Sequence, residues 1–551
     1  MNVFKTLLAL CLLAGVSGVR ADSSVSLTLG DKGLSSLKYG GTEYLWTNPS
    51  DNSGGAFDGS VFYVSRVVLS KPGRADVSLE QGGPGTVTAD KALSQITRTY
   101  AWGVIRCTYA ASGSRLGMTV TVTNATRDQA VKAITFQPLW LHFPDKPRQY
   151  DGNTPLLGVN VGRPTILPMT YGSGSLVLCN EDVKRPLTLG FPYALDRPAS
   201  TQFPVQVSAG ETDYLHPYMD PYVVRPIVPG HSDTYALSLR FGADGAADLE
   251  RKFVAAYPPQ LHWTDRRPVG YLMLSSSVPH QASGKNPRGW FLNDPAIDVT
   301  TPEGKKAFGK RLMDYADGSL KVLKDMNAQG VIVWDVQGQE YPHATSYIGD
   351  PRLTPTLAPE IDPLADAFFA KFRAAGLRVG VCLRPQRLVR TPTGVYQQDP
   401  DLSDPAPIAQ TLLDRARYAH KRWGCTLFYV DSNGDPNAPY DAGIFERVSQ
   451  TLAHEGIQAL LMPEHKNARY YAYTAPYAEL RQDHASTPEG IRRLYPGAFS
   501  VINVSDGPEA ARHDDLLAAV KRGDILLFRA WWNDPDNVLV KRIYEEAGRK
   551  P

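Results

Sequence analysis

Several acidic residues of this chain end apolar runs. Asp431 closes Leu427-Phe-Tyr-Val430, Glu464 follows Leu460-Leu-Met-Pro463, and Asp335 closes Val331-Ile-Val-Trp334 with Glu340 and His343 behind it. Asp483 lies in Arg481-Gln-Asp483-His484, just after Tyr477-Ala-Glu-Leu480. An unpaired carboxylate is costly to bury, so a carboxylate in such a place either caps the following loop or has chemistry to do. Two carboxyl groups flanking a glycosidic bond supply a nucleophile or base on one side and a proton donor on the other. Around them stand Arg384, His465, Asn433 and Arg529, the tryptophans Trp531 and Trp532, and a loop carrying Arg288-Gly-Trp290-Phe-Leu-Asn293-Asp294. Indole faces stack on the C–H surface of sugar rings. Arg384 and Arg529 either clamp a carboxylate-bearing sugar or neutralise an acidic rim. Asp335 either binds hydroxyls or holds a buried arginine. His343, His465 and His484 lack metal-ligand spacing and read as hydrogen-bonding partners.

These residues share one kind of place. After Arg267 the sequence alternates apolar runs with helical segments, the pattern of parallel strands covered by crossover helices. The runs are 270–275, 331–335, 377–383, 426–431, 458–462, 477–480, 499–504 and 525–530. Helical stretches at 301–327, 363–375, 405–423, 441–455, 468–473, 488–494, 508–522 and 536–547 lie between and after them. Eight of each predict a (β/α)8 TIM barrel, whose active site lies at the C-terminal ends of the strands. The candidates above sit at those ends. The first half has another period: Ser24–Leu29, Val61–Val68, Met118–Thr123 and Thr234–Phe241 alternate apolar and polar residues between Gly-, Asn-, Asp- and Pro-bearing turns. The predicted fold is therefore multidomain, β plus α/β: a large β-sandwich over 22–243, a linker over 244–267 and a barrel over 268–551.

Composition narrows the function. Residues 1–21 read as a secretory leader, with Lys5 in a basic start, an apolar stretch from Thr6 to Val19 and small residues at Val19 and Ala21. Export to the periplasm or medium is the expectation. The leader carries Lys5 and Arg20 out of 58 basic residues against 56 acidic ones, which leaves the mature chain near neutral and without a basic footprint for nucleic acid. No later apolar run reaches the length of a membrane span. Neither CxxC nor HExxH occurs, so no zinc is expected, and no GxSxG elbow is present. Asp431-Ser-Asn433-Gly-Asp435-Pro-Asn437 opens like a calcium loop but has Pro436 for the glycine and Ala442 for the glutamate. Cys107 and Cys179 could bridge in an exported chain, although four mature cysteines in so long a chain read as core filler. Asn124 and Asn503 begin glycosylation triplets.

The large N-terminal sandwich, the Tyr257-Pro-Pro linker, Asp335 after strand two and Phe428-Tyr-Val-Asp431-Ser-Asn433 at strand four together resemble the superfamily of retaining α-galactosidases and α-glucosidases. The resemblance spans most of the mature chain as architecture and implies a retaining glycosidase. It places the nucleophile on Asp431, the acid/base on Asp483 and a sugar-binding carboxylate on Asp335. The chain departs from that pattern at strand one, Tyr271-Leu-Met-Leu-Ser275, and in the twenty residues that follow Trp531 where the superfamily has a second β-domain. Glu464 is the alternative proton donor. Asp335, Glu340, Arg384, His465, Trp290, Asp294, Asn433, Arg529 and Trp531 form the expected sugar-binding set. The expected function is an exported glycoside hydrolase acting on oligo- or polysaccharides without an organic cofactor. An inverting hydrolase, a transglycosylase and a non-catalytic carbohydrate-binding protein on the same barrel are the alternatives. On this reading Asp431→Asn abolishes turnover and leaves the melting temperature nearly unchanged.

Overall fold

The computed structural model describes the chain from Ser24 to Gly548, apart from residues 47–59, 146, 151–165, 173, 185–186, 192–200, 210–225, 243–245, 276–282, 292–293, 295, 339–347, 387, 391, 393–395, 399–404, 433, 436–437, 440–441, 481–485, 505–511, 532–533 and 535. In the first half, alternation makes strands with one buried face. Along Arg115–Asn124 the side chains of Leu116, Met118, Val120 and Val122 are buried. Its hairpin partner Gly103–Ser112 buries Ile105, Cys107 and Tyr109 and turns through Gly113, whose φ of 53° suits a residue without Cβ. The strands form antiparallel sheets of eight and five strands with a small three-stranded sheet beside them. Phe136, Leu139, Val205 and Val207 of the five-stranded sheet join Leu116, Met118 and Val120 of the larger one in a single core. A sandwich results.

The second half is the expected barrel. Its strands are β1 (Val269–Leu272), β2 (Gly330–Val333), β3 (Arg378–Leu383), β4 (Cys425–Val430), β5 (Leu460–Pro463), β6 (Tyr477–Glu479), β7 (Val501–Asn503) and β8 (Ile525–Arg529). They form one parallel sheet in the order β5-β4-β3-β2-β1-β8-β7-β6, and the Ala475 N–H donates to the Leu461 carbonyl at 3.0 Å across the remaining seam. Successive side chains alternate between the inside and the helix layer. Tyr271, Ile332, Trp334, Cys382, Leu427, Tyr429, Met462, Tyr477 and Leu527 fill the interior. Leu272, Val333, Val381, Phe428, Val430 and Leu461 face the helices.

The helices are α1 (Ala247–Ala256), which leads from sandwich to barrel, then α2 (Pro302–Asp325), α3 (Asp362–Ala374), α4 (Pro405–Trp423), α5 (Ala442–His454), α6 (Glu489–Leu494), α7 (His513–Arg522) and α8 (Asp536–Glu546). Capping fixes several ends: Thr301 Oγ1 accepts the Gly304 N–H at 3.0 Å ahead of Pro302, and α7 stops at Gly523 with φ 106°. The helix expected at 468–473 is a 3-10 segment, Ala468–Ala472. Sandwich and barrel share a buried cluster in which Ile166, Val177 and Cys179 meet Leu249 and Phe253 of α1 and Tyr471, Ile491 and Tyr495 of the barrel. The Tyr495 hydroxyl donates to the Tyr257 carbonyl at 2.9 Å there.

The four cysteines among the described residues, Cys107, Cys179, Cys382 and Cys425, are free and buried, so Cys107 and Cys179 are not bridged. Neither glycosylation triplet offers a free amide. Asn124 is 0% exposed and donates to the carbonyls of Gln129 and Ile227 at 2.8 and 2.7 Å, while Asn503 donates to the Tyr477 hydroxyl at 2.7 Å. Among the described residues, no helix is long and apolar enough to cross a membrane, and no cluster of side chains could hold a metal ion.

Candidate active site

The ladders fix which carboxylates meet. Leu383 of β3 pairs with Val430 of β4, and Val430 with Pro463 of β5. The next residues, Arg384, Asp431 and Glu464, therefore stand side by side at one level on adjacent strands about 4.8 Å apart. Backbone bonds continue the ladders through them: Asp431 N–H to the Leu383 carbonyl at 2.9 Å, Glu464 N–H to the Val430 carbonyl at 3.0 Å. By alternation all three side chains share the interior face with Cys382, Tyr429 and Met462 and open onto the barrel mouth. Arg384 forms an ion pair with Asp431, which is 5% exposed. Glu464 is within hydrogen-bonding reach of Asp431 on the other side. Burial, and then the charge of Asp431, push its carboxyl up to about 7. Glu464 therefore favours its neutral form, the direction that burial beside a like charge imposes.

Ser432 locks this arrangement. Its φ of 55° is left-handed, an uncommon state for a residue with a side chain, and turns its N–H onto Glu464 Oε2 at 2.7 Å. Gln386 Nε2 holds the Ser432 carbonyl at 2.6 Å. Backbone strain of this kind collects at functional sites.

Beneath the carboxylates lies an aromatic floor. The Trp334 ring centroid is 4.6 Å from that of Tyr271, 4.7 Å from Tyr429 and 6.3 Å from Tyr477. The tyrosine hydroxyls turn toward the mouth: Tyr429 to Asp431 Oδ1 at 3.5 Å, Tyr477 to Glu479 Oε1 at 3.3 Å, while Tyr271 accepts Arg529 Nε at 3.2 Å. Burial, with the charges of Asp431 and Glu464, raises the Tyr429 hydroxyl well above its ordinary value, so it remains a donor. Glu479 lies on the same interior face as Tyr477, and sequence reasoning passed over it because it sits inside the strand rather than past its end. Counting by twos from Tyr477 would have found it.

Other expected site residues lie elsewhere. Asp335 has the opposite parity to Trp334 and is 1% exposed; it accepts the Leu274 and Ser275 N–H groups at 2.8 and 2.6 Å and the Ser275 hydroxyl. It pins the end of β1 instead of binding a hydroxyl or an arginine, and burial raises its carboxyl to about 6 against those bonds. Trp290 is a correction too: it is 0% exposed, packs on Phe308 and donates to Glu360 Oε1 at 2.6 Å, so it is core and not a platform. Asp294 pairs with Arg311 of α2 and accepts the Ala296 N–H at 2.9 Å, which ties down its loop. Glu464 is beside Asp431, not across from it, because neighbouring strands bring equivalent side chains together; a proton donor opposite must come from a strand farther round. Arg529 lies over the half-buried Trp531 at 4.6 Å and 3.6 Å from Asp534, and His465 Nε2 is 3.7 Å from Glu464. Asp483, Glu340, Asn433 and Trp532 lie outside the described residues.

No known protein family's pattern matches the chain, and no curated protein matches it. Among solved structures it is similar to the α-galactosidase from Lactobacillus brevis, at 11% identity over 93% of this chain and 75% of that one, TM-score 0.40. It is similar to the GH36 α-galactosidase AgaA from Geobacillus stearothermophilus, at 7% identity over 88% and 74%, TM-score 0.41. A GH31 α-xylosidase from a soil metagenome matches at 9% identity over 85% and 83%, TM-score 0.41. These are likenesses of chain path, and the chemistry has to be read from this chain's own residues.

Proposed function

We propose that this protein is an exported glycoside hydrolase that cleaves oligo- or polysaccharides by double displacement at the mouth of its barrel. The observation that carries the reading is the Arg384–Asp431–Glu464 row, two adjacent carboxyl groups with an arginine on Asp431 at the C-terminal ends of β3, β4 and β5, where barrel enzymes do their chemistry. Asp431 attacks the anomeric carbon and forms a glycosyl ester as the glycosidic oxygen leaves. That oxygen takes its proton from Asp483, which follows β6 and so comes from a strand that does not adjoin β4. Asp483 then deprotonates the water that releases the sugar. Glu464 is on the strand next to that of Asp431 and so beside it, too close for that part, since a retaining pair faces each other about 5–5.5 Å apart across the bond; it stands at the flank of Asp431 and accepts the Ser432 N–H. The half-buried Trp531 offers apolar surface to the sugar.

A panel of nitrophenyl glycosides of both anomeric configurations tests the activity, and 2-fluoro glycosyl fluorides with peptide mass mapping test the nucleophile. We expect a covalent glycosyl adduct on Asp431 and no turnover by Asp431→Asn. The Arg384 pair alters the stability expected from sequence alone: leaving that cation without its partner costs about 3 kcal/mol in denaturant unfolding. Full turnover by Asp431→Asn would remove it as nucleophile. The engagement of Asp431 by Arg384 also suits a non-catalytic sugar-binding protein. Glycan binding with no hydrolysis across the panel would establish that second reading. Secretion with Asp22 as the new N-terminus would support the leader, and an uncut chain would refute it.

A further inference from the structure

Behind the row lies a buried cation that no catalytic step uses. Arg415, on α4, is 1% exposed. Its guanidinium donates to three backbone carbonyls on two loops: Gly349 at 3.3 Å after β2, and Arg384 and Gln386, the latter at 2.8 Å, after β3. Its Nε lies 3.1 Å from Asp350, which Arg352 grips with Nε and Nη2 at 2.9 and 2.8 Å. Burial draws the Arg415 guanidinium down to about 10, so it remains a cation at neutral pH. Its loops carry the residues that touch the nucleophile's segment. Arg384 meets Asp431, and the Gln386 side chain holds the Ser432 carbonyl. Gly349 closes the assembly: at φ 63° it accepts the Arg384 N–H at 3.0 Å, and a Cβ there would lie 2.5 Å from that nitrogen.

We infer that Arg415 is a positioning residue, which sets where Arg384 meets Asp431 and where Gln386 holds Ser432, and so aligns the attacking carboxylate. The inference rests on the assignment of Asp431 as nucleophile. Its geometry suits a planar fork and not a point charge: the two Nη groups serve three carbonyls on two loops while the guanidinium charge pairs with Asp350, a spread that a lysine ammonium cannot span. An apolar residue of similar volume would fill the space and leave the Arg384 and Gln386 carbonyls without the donors they have here.

The test is Arg415→Lys in the full chain, read two ways. On whichever glycoside of the panel is cleaved, kcat should fall on the order of 100-fold with KM changed far less, the size of effect that a small misplacement of reacting groups produces. Independently of any substrate, carboxyl carbon-13 resonances of glutamate-labelled protein report the Glu464 midpoint, assigned by its loss in Glu464→Gln. The groups facing Glu464 are Asp431 and Tyr429 from β4, Arg384 and Cys382 from β3, Tyr477 from β6 and the adjacent His465. Of these Arg384 is the cation whose withdrawal favours the neutral acid, so the midpoint should rise by about one unit. An unmoved midpoint together with wild-type kcat per folded molecule overturns the proposal, even if the melting temperature falls. If no glycoside is cleaved, the midpoint alone still decides whether Arg415 positions Arg384. Should the lysine variant fail to fold, Gln386→Leu leaves Arg415 and its carbonyls intact and reads the link to Ser432; a lowered kcat supports the inference, and an unchanged one refutes it.

Discussion

Glu464 carries the pH sensitivity of the site. Its carboxyl titrates near 7 when folded and near 4.5 otherwise, because burial and the neighbouring Asp431 disfavour a second negative charge. The folded value lies above the unfolded one, so folding favours the neutral acid. This contribution is whole below about 4.5 and is lost as pH rises through about 7. Asp335, raised to about 6 by burial, loses its share at lower pH. Between pH 6.5 and 7.5 the decline therefore belongs mostly to Glu464. Thermal melts should show the wild type losing stability over that interval and Glu464→Gln holding level; parallel curves would refute the raised Glu464 carboxyl. At this scale the sequence showed where a carboxylate ends an apolar run, as at Asp431 and Glu464, but Asp335 has the same signature and a structural task. Residue type did not separate them, since parity and partners belong to the neighbouring strands.

The elements around the site are joined by their loops, not only by their ladders. Gly349 packs against the Arg384 backbone in a left-handed conformation, where a side chain has neither room nor a favourable φ. Gly349→Ala should cost at least about 2 kcal/mol in denaturant unfolding. A loss within about 0.5 kcal/mol, the size of an ordinary surface substitution, would show that the loop after β2 does not press on Arg384 as described. The eight strand runs were legible because a strand buried on both faces is apolar almost throughout. Helical periodicity was equally clear, except at Ala468–Ala472, where a run that reads as helix closes only a tight 3-10 segment. Glu479 was hidden for a similar reason: it counts as strand body until the alternation from Tyr477 is followed to the rim.

Over the whole molecule, sandwich and barrel share buried apolar surface through α1. Phe253 lies in a cluster that draws on both, with its ring centroid 5.2 Å from that of Tyr257 and 6.5 Å from Tyr495. Phe253→Ala should cost about 3–5 kcal/mol and split the calorimetric transition in two as sandwich and barrel uncouple. One sharp transition with unchanged enthalpy would show that α1 does not couple them.

What the sequence by itself determined is periodicity: alternation gives a sandwich, eight two-faced apolar runs with helices between them give a barrel, and the barrel puts Asp431 and Glu464 at its mouth. Tertiary structure alone decided who touches whom. Arg384, Asp431 and Glu464 lie far apart in the chain, and the register of three strands sets them side by side. Arg415 reaches the Arg384 carbonyl only because α4 packs behind β3 and β4. Trp290 is core and Trp334 is floor for the same reason, since an indole ring buries wherever packing closes over it, and that closure is a property of residues distant in sequence.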